Sequence, residues 1–362
     1  MIETIIFFAV GLVALVFGAN ALVHGASRLA LSFSISPLVV GLTVVAFGTS
    51  APEMAVSTGA VLSGNNDVAV GNVVGSNIFN VLFILGVSAI LLPLSVHTQV
   101  IRQEIPIMLG SAVLLMLLGF DGLIDWREGA LLLVLLLAYT GFLIQQSRAS
   151  SATDTADFDD EIKPATHGSW DSYWWSQLLL IVLGLVLLVF GSGWLVDSAI
   201  VFAKAFGVSD LIIGLTIVAA GTSLPEVAAS VTAAIKGERD MAVGNVVGSC
   251  LFNTLGCLGV GAVVAGGAGL SLAPSLVNFD LWVMLAAFLA CLPVFLSGRE
   301  IARWEGWVFL AYYVVYVTYL IMAAQAHGAL PAFSSVMLSF VLPITVVTLV
   351  VAAIGRRSEP RT

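Results

Sequence analysis

Long apolar runs, separated by short polar segments, make up most of the 362-residue chain. A helix of about 20 apolar residues crosses the hydrocarbon core of a bilayer, so each of these runs is a candidate membrane span. We predict eleven spans, numbered in chain order: 3–23, 37–62, 69–92, 104–120, 128–146, 177–197, 210–235, 241–266, 279–297, 305–324 and 332–355. The pattern therefore predicts an all-α integral membrane protein whose helices lie in a lipid bilayer.

The composition favours the same class of protein. Hydrophobic residues make up 59% of the chain and charged residues only 10%, whereas a soluble domain keeps about a quarter of its residues charged. The formal net charge of −9 argues against a nucleic-acid partner, and we expect no cofactor and no obligate protein partner. The three cysteines lie in apolar runs without a CxxC pattern. We interpret them as packing residues rather than as a metal or redox site.

The distribution of Lys and Arg predicts the orientation, because cytoplasmic loops of membrane proteins carry an excess of these residues. If the N-terminus faces outside, eleven of the 13 Lys and Arg residues fall in cytoplasmic segments, and only Arg127 and Lys204 fall outside. We therefore expect a multi-pass protein of the cell (inner) membrane, with its N-terminus outside and its C-terminus in the cytoplasm.

One connection is long and polar. Residues 147–176 include the acidic run DTADFDDE and have too few apolar residues to build a core of their own. The pattern of an EF-hand loop, with its central Gly and terminal Glu, is absent. We interpret this segment as an acidic cytoplasmic linker; a regulatory calcium site is the alternative.

The chain contains an internal repeat. Residues 41–87 align without a gap with residues 214–260, so that GLTVVAFGTSAPE matches GLTIVAAGTSLPE and AVGNVVGSNIFN matches AVGNVVGSCLFN. Spans 1–5 therefore repeat as spans 6–10, and because five is odd, the second copy crosses the membrane in the opposite sense. Such an inverted-topology repeat is typical of secondary transporters. We predict two five-helix repeats forming a core of ten spans, plus one extra C-terminal helix. The regions are a first repeat at 1–146, the linker at 147–176, the inverted repeat at 177–324, and the extra span with a basic cytoplasmic tail at 325–362.

The GTSAPE and GTSLPE motifs predict that the helices of spans 2 and 7 are discontinuous. Gly48 weakens the helix, and Pro52 cannot donate a hydrogen bond to the carbonyl of Gly48; the same pair recurs at positions 221 and 225. Interrupted backbone is tolerated at membrane depth only where it lines a cavity or is buried in protein. The freed carbonyl groups can then serve as cation ligands, including those of Ala46 and Ala219.

Polar side chains accompany each predicted break. The first motif supplies Thr49, Ser50 and Glu53, and the second supplies Thr222, Ser223 and Glu226. Spans 3 and 8 carry polar residues at every fourth position, which lie on one helical face: Asn72, Ser76 and Asn80, and Asn245, Ser249 and Asn253. Helix–helix packing is the alternative role for these residues, and we leave it open above all for Asn72 and Asn245.

Glu53 and Glu226 are the only carboxylates that we place well inside a span. An ionisable residue at that depth is costly and marks a functional site by default. The inverted repeat can bring both carboxylates together near the middle of the bilayer, inside a cage of hydroxyl, amide and carbonyl oxygens. Calcium accepts roughly six to eight oxygen ligands, whereas zinc and copper favour the His or Cys side chains that these motifs do not offer.

At these motifs the chain resembles the sodium/calcium exchanger family of the calcium/cation antiporter superfamily. GTSAPE…GNVVGSNIFN and GTSLPE…GNVVGSCLFN look like its two alpha-repeats, and the resemblance covers spans 1–10. The resemblance implies that the two glutamates bind calcium and sodium in turn. It implies the ligand set Glu53, Glu226, Thr49, Thr222, Ser50, Ser223, Ser76, Ser249, Asn80 and Asn253, with the carbonyls of Ala46 and Ala219. The chain departs from several members that carry Asp in place of Asn80 or Asn253, and Cys250 replaces a frequent Asn.

The resemblance implies a secondary active antiporter rather than an enzyme. It would exchange Ca²⁺ against Na⁺ by alternating access, with three Na⁺ for one Ca²⁺, as spans 1 and 6 slide against spans 2, 3, 7 and 8. An H⁺- or K⁺-coupled Ca²⁺ exchanger of the same fold stays open, because the departures bear on the coupling ion. The inverted repeat disfavours a channel. An intramembrane hydrolase is disfavoured because neither Ser50 nor Ser223 has a His or Lys base within its span.

Overall fold

The computed structural model describes residues 2–33, 35–150, 173–206, 219–296 and 298–356. Among these residues nine helices are each long and apolar enough to cross a membrane, and a bent helix pair makes a tenth span. In chain order, spans 1–6 and 8–11 are Ile2–Phe33, Pro37–Thr49 with Ala51–Leu62, Asn66–Leu91, Val100–Asp121, Trp126–Ser147, Trp174–Ala205, Arg239–Ala268, Leu276–Leu296, Arg303–Ala324 and Leu330–Thr348. The prediction of an all-α integral membrane protein is confirmed.

Span 7 is described only from residue 219 onward. It consists of the short helix Ala219–Gly221, followed by the apolar helix Leu224–Ile235. The first residues of this predicted span, 210–218, lie outside the described residues. So do residues 151–172, which hold most of the predicted linker with its DTADFDDE run, and the end of the basic tail, residues 357–362.

Spans 1 and 6 are longer than the apolar pattern predicts. Each helix has 32 residues, which corresponds to about 48 Å at 1.5 Å per residue, whereas the hydrocarbon core is about 30 Å thick. The pattern ended span 1 at residue 23, but the helix continues through His24 and Arg28. A helix satisfies its own backbone hydrogen bonds, so it can extend into the interface after the apolar residues end.

Spans 1 and 6 pack in opposite directions along a seam of glycines. Gly11 and Gly18 of span 1 face Gly191 and Gly184 of span 6. A Cβ atom added at Gly18 would lie 2.9 Å from the carbonyl oxygen of Gly184, which shows that the two backbones are in contact. Small residues permit such a close approach between membrane helices, so the glycines make these two spans a paired unit.

Spans 3 and 8 form the centre of the molecule. Their apolar stretches are 78% and 89% buried, whereas that of span 11 is not buried at all. Span 8 also packs tightly on span 2, because a Cβ atom at Gly248 would lie 2.6 Å from the carbonyl oxygen of Leu42. Span 11 lies at the periphery, where the Tyr312 hydroxyl of span 10 donates to Thr345 Oγ1 at 2.7 Å.

Two short strand pairs tie the halves together and are the part of the fold that the sequence analysis missed. Strand β1 (Leu94–Ser95) pairs antiparallel with β4 (Glu300–Ile301), and β2 (Leu123–Ile124) pairs with β3 (Leu270–Ser271). Strands β1 and β3 lie in the loops after spans 3 and 8, and strands β2 and β4 lie in the loops before spans 5 and 10. Each strand pair therefore connects one half of the protein to the other. Two residues per strand are too few to show a period of two in the sequence.

The helices of spans 2 and 7 are discontinuous, as predicted. The two parts of span 2 meet at Ser50 with a bend of 43°. Ser50 has φ −83° and ψ 4°, and Ser223 has nearly the same conformation, φ −89° and ψ 8°. One detail of the prediction is wrong: the Ala46 carbonyl is not freed, because it accepts a hydrogen bond from Ser50 N at 3.0 Å. Pro52 has no backbone N–H, so the carbonyl that loses its helical hydrogen bond is that of Gly48, four residues earlier.

Candidate cation-binding site

The two interrupted helices meet at the motifs GTSAPE and GTSLPE and exchange hydrogen bonds there. Ser50 Oγ donates to Glu226 Oε1 at 3.0 Å, and Ser223 Oγ donates to Glu53 Oε1 at 2.9 Å. Each serine thus binds the carboxylate of the opposite half. Both glutamates are fully buried. The inverted repeat therefore brings the two carboxylates into one site, inaccessible to solvent in this conformation.

Each carboxylate keeps one oxygen free for another ligand. Glu53 Oε2 and Glu226 Oε2 are buried and have no hydrogen-bond partner. A buried carboxylate oxygen without a partner is unfavourable unless a donor or a cation compensates it. The two unpaired oxygens are consequently suited to coordinate a cation.

Spans 3 and 8 supply neutral oxygen and amide groups around the glutamates. Ser76 Oγ lies 3.2 Å from Ser223 Oγ and donates to it, because the single Ser223 hydroxyl proton goes to Glu53. This bond joins span 3 to the break in span 7. Ser249 Oγ is buried without a hydrogen-bond partner. Asn80 and Asn253 are both fully buried, and Asn253 Oδ1 accepts from Cys257 Sγ at 3.7 Å. These four residues all lie in the buried interior, on the spans that flank the breaks.

The two threonines of the motifs also reach the asparagines of spans 3 and 8. Thr49 Oγ1 donates to Asn245 Oδ1 at 3.2 Å, and Thr222 Oγ1 donates to Asn72 Oδ1 at 3.4 Å. Neither asparagine belongs to the predicted ligand set. Their four-residue spacing from Ser76 and Ser249 was the signal that placed them on the same helix face. Of the two alanines, Ala46 is buried beside Thr49, and Ala219 begins the described part of span 7.

A third carboxylate is buried within a span, although the sequence predicted that Glu53 and Glu226 were the only ones. Glu104 of span 4 is fully buried. Its Oε2 accepts from the Tyr139 hydroxyl at 2.6 Å, and its Oε1 accepts from Gln99 and Gln103, each at 2.9 Å. The apolar pattern placed Glu104 at the edge of a span, but the helix begins at Val100. Because three donors already satisfy this carboxylate, we do not count it among the candidate ligands.

The same pair occurs in the second half. Asp280 Oδ1 accepts from the Tyr316 hydroxyl at 2.8 Å, and these residues occupy positions equivalent to Glu104 and Tyr139 in the inverted repeat. Glu305 is buried as well, and its Oε2 accepts from the backbone N–H of Ala302 at the start of span 10. These carboxylates therefore hold helix ends or neighbouring spans.

The donor set of the central site is rich in oxygen. Among the described residues, no group of three or more His, Cys, Asp or Glu side chains could hold a metal ion. Two carboxylates surrounded by hydroxyl and amide groups suit a hard cation such as Ca²⁺ or Na⁺ rather than zinc or copper. The three cysteines are buried and form no disulfide.

Known proteins resemble this chain in sequence and in fold. The family model described as "Sodium/calcium exchanger protein" matches residues 3–145 and 176–322. The protein CaxA of Alkalimonas amylolytica is 41% identical over 325 residues, which cover 87% of this chain and 98% of that protein. Sodium/calcium exchanger MaX1 of Methanosarcina acetivorans is 33% identical over 340 residues, covering 86% and 96% of the two chains. A solved structure of the sodium-calcium exchanger NCX_Mj superposes with a TM-score of 0.74 at 30% identity, covering 88% of this chain and 98% of the other.

Proposed function

Because the chain belongs to the sodium/calcium exchanger family, we propose that it exchanges Ca²⁺ for Na⁺ at the site formed by Glu53 and Glu226. The observation that carries this proposal is the pair of reciprocal bonds, Ser50 to Glu226 and Ser223 to Glu53. They link two buried carboxylates from opposite halves, which supports a single site for both. A single site that takes either ion is what one-for-another exchange requires.

We propose an exchange of three Na⁺ for one Ca²⁺ because the family resemblance implies it; the charge of the site does not by itself fix this ratio. Two ionised glutamates carry a charge of −2, which one Ca²⁺ or two Na⁺ neutralise. A third Na⁺ adds a positive charge, so each exchange moves net charge across the membrane and responds to its potential. Leaving the two carboxylates without a cation inside the protein is unfavourable, and this favours exchange over leak.

The proposed ligands are the residues that line the two breaks and the facing sides of spans 3 and 8. Glu53, Glu226 and Ser249 offer buried oxygens without hydrogen-bond partners. The full proposed set is Glu53, Glu226, Thr49, Thr222, Ser50, Ser223, Ser76, Ser249, Asn80 and Asn253, with the carbonyls of Ala46 and Ala219. The Ala46 carbonyl accepts from Ser50 N and would bind a cation through its second lone pair.

Alternating access requires that the buried site open to one side at a time. We propose that spans 1 and 6 move together against spans 2, 3, 7 and 8. Their glycine seam makes them one unit, whereas spans 3 and 8 are held in the buried centre. We also propose that the N-terminus lies outside and the C-terminus in the cytoplasm, as the loop charges predict. In this scheme residues 147–176 only link the two repeats.

The coupling ion is tested in proteoliposomes that contain the purified protein and radioactive calcium outside. An outward gradient of Na⁺, of K⁺ or of H⁺ is imposed separately, each as the only driving force. We expect the Na⁺ gradient alone to drive uptake. An inside-positive potential should speed uptake at constant Na⁺ gradient, because three Na⁺ leaving for one Ca²⁺ entering moves one positive charge outward. Uptake driven by K⁺ or H⁺ but not by Na⁺ would identify the alternative exchanger of the same fold.

A further inference from the structure

The amide of Asn245 connects three helices. Asn245 lies on span 8, and its Nδ2 is 2.8 Å from Ser230 Oγ and 3.5 Å from the carbonyl oxygen of Glu226, both on span 7. Its Oδ1 lies 3.2 Å from Thr49 Oγ1 of span 2. One buried side chain thus contacts the broken helix of its own half and the broken helix of the opposite half.

The first half repeats this arrangement. Asn72 Nδ2 lies 3.1 Å from Ser57 Oγ and 3.5 Å from the Glu53 carbonyl oxygen. Asn72 Oδ1 lies 3.4 Å from Thr222 Oγ1. The internal repeat thus gives each asparagine the same three kinds of partner: a serine hydroxyl, a glutamate carbonyl and a threonine hydroxyl of the opposite half.

The direction of each hydrogen bond follows from the chemistry of the partners. A backbone carbonyl can only accept, so the amide nitrogen of each asparagine must face it, and Oδ1 must face the threonine. Because Oδ1 can only accept, a hydrogen bond between it and the threonine uses the threonine proton. For Thr49 the competing acceptor is the Ala46 carbonyl, which is farther away, at 3.4 Å against 3.2 Å for Asn245 Oδ1. The lone pairs of the threonine oxygen then remain available on the side away from the amide.

We propose that Asn72 and Asn245 are positioning residues that orient the threonine hydroxyl of the opposite half, so that its oxygen rather than its proton faces the transported cation. The inference rests on the proposed function, in which Thr49 and Thr222 are cation ligands. It also gives the two asparagines a role that helix packing alone does not provide, because each is coupled to a specific threonine of the other repeat.

A double-mutant cycle tests this coupling. Calcium binding to the purified full-length protein is measured by isothermal titration calorimetry for the wild type, Asn245→Ala, Thr49→Val and the double variant. Each single change should weaken calcium binding by about threefold to tenfold, the size of one net hydrogen bond. The double variant should bind about as weakly as the weaker single variant, because either change removes the same oriented oxygen.

The matched control pairs Asn245→Ala with Thr222→Val, the threonine of the same half, which Asn245 does not orient. In this control pair the two changes should act independently, so their fold-changes in calcium affinity should multiply to within about twofold. A second cycle combines Asn72→Ala with Thr222→Val, and its control combines Asn72→Ala with Thr49→Val. Asn72 is less buried than Asn245, so this cycle replaces the first if Asn245→Ala does not fold.

The outcomes distinguish a failure of the positioning role from a failure of the proposed function. Wild-type protein that binds calcium, together with coupling only in the cross-half pairs, supports the positioning role. Wild-type binding with independent effects in the cross-half pairs, or equal coupling in both kinds of pair, would overturn it and leave the proposed function standing. Wild-type protein that does not bind calcium would overturn the proposed function and this inference with it.

Discussion

Two serine hydroxyls join the carboxylates of the site across the repeat. The sequence predicted that Glu53 and Glu226 would meet, because a repeat with an odd number of spans must place equivalent segments in opposite orientations. It did not predict that each serine would bind the glutamate of the other half. That detail depends on side-chain directions at two breaks, which no periodic pattern encodes.

The serines should matter to ion affinity because each donates to a buried carboxylate. Ser50→Ala or Ser223→Ala removes a hydrogen bond to a charged group, which contributes roughly 1.5–3 kcal/mol. We expect the calcium concentration for half-maximal uptake to rise about tenfold or more in each variant. Ser63→Ala is the control, because Ser63 is exposed and its hydroxyl bonds Gly59 within its own helix. Unchanged affinity in Ser50→Ala and Ser223→Ala would remove both serines from the ligand set.

Glu104 was missed because its role depends on where span 4 begins. The carboxylate sits four residues inside the helix, although the apolar pattern begins only at this residue. Comparing the two repeats could have found it, since the equivalent positions hold Asp280 and Tyr316. Such carboxylate–tyrosine pairs make a prediction about stability rather than transport.

Tyr139→Phe should destabilise the protein by about 1–3 kcal/mol, because it leaves a fully buried carboxylate short of one donor. Tyr316→Phe should cost less, because Asp280 is only partly buried. Thermal unfolding in detergent measures both, with calcium affinity recorded in parallel. A large change in calcium affinity of folded Tyr139→Phe, without loss of stability, would contradict the structural role that we assign to Glu104.

At the scale of helices, the sequence located the breaks but not their shape. GTSAPE and GTSLPE marked the positions correctly, because each motif combines a Gly, which weakens a helix, with a Pro four residues later, which removes a backbone donor. The bend of 43° and the retained bond from Ser50 to Ala46 depend on how spans 3 and 8 pack against the break. The pairing of spans 1 and 6 was likewise invisible in hydropathy, although Gly11, Gly18 and Gly25 recur at every seventh position.

A bulky residue in the glycine seam should slow transport. A Cβ atom at Gly184 would lie 2.6 Å from the backbone nitrogen of Leu22, so Gly184→Leu must push spans 1 and 6 apart. Gly193→Leu on the same helix is the matched control, because a Cβ atom there meets no atom within 4 Å. We expect the initial rate of calcium uptake per folded protein to fall severalfold in Gly184→Leu only. Equal rates in the two variants would show that the seam has no part in the motion.

For the whole molecule, the inverted repeat could be derived from sequence because identity persists through spans 2, 3, 7 and 8. The two strand pairs that tie the halves together could not, because they are formed between residues far apart in the chain. The orientation in the membrane is a separate prediction. It rests on the loop charges. The inverted repeat offers a test of it, because equivalent loops of the two repeats lie on opposite sides of the membrane.

Equivalent loops of the two repeats should face opposite sides. Ser63 follows span 2 and Lys236 occupies the same position after span 7, and both are exposed. In a background without native cysteines, Ser63→Cys should react with an impermeant thiol reagent added outside intact cells. Lys236→Cys should react only after the cells are opened. The reverse pattern would overturn the N-out orientation, and labelling of both from one side would overturn the inverted topology.

The central claim is that Glu53 and Glu226 together form the site through which calcium and sodium exchange. Its most direct test is sodium-driven uptake of radioactive calcium into proteoliposomes by Glu53→Gln and Glu226→Gln, with Glu300→Gln, a change at an exposed residue, as the control. Glutamine keeps the shape of the side chain and removes its charge, so we expect each site variant to lose nearly all sodium-driven uptake while remaining folded. The control should match the wild type. Near-normal uptake by either Glu53→Gln or Glu226→Gln would contradict the account.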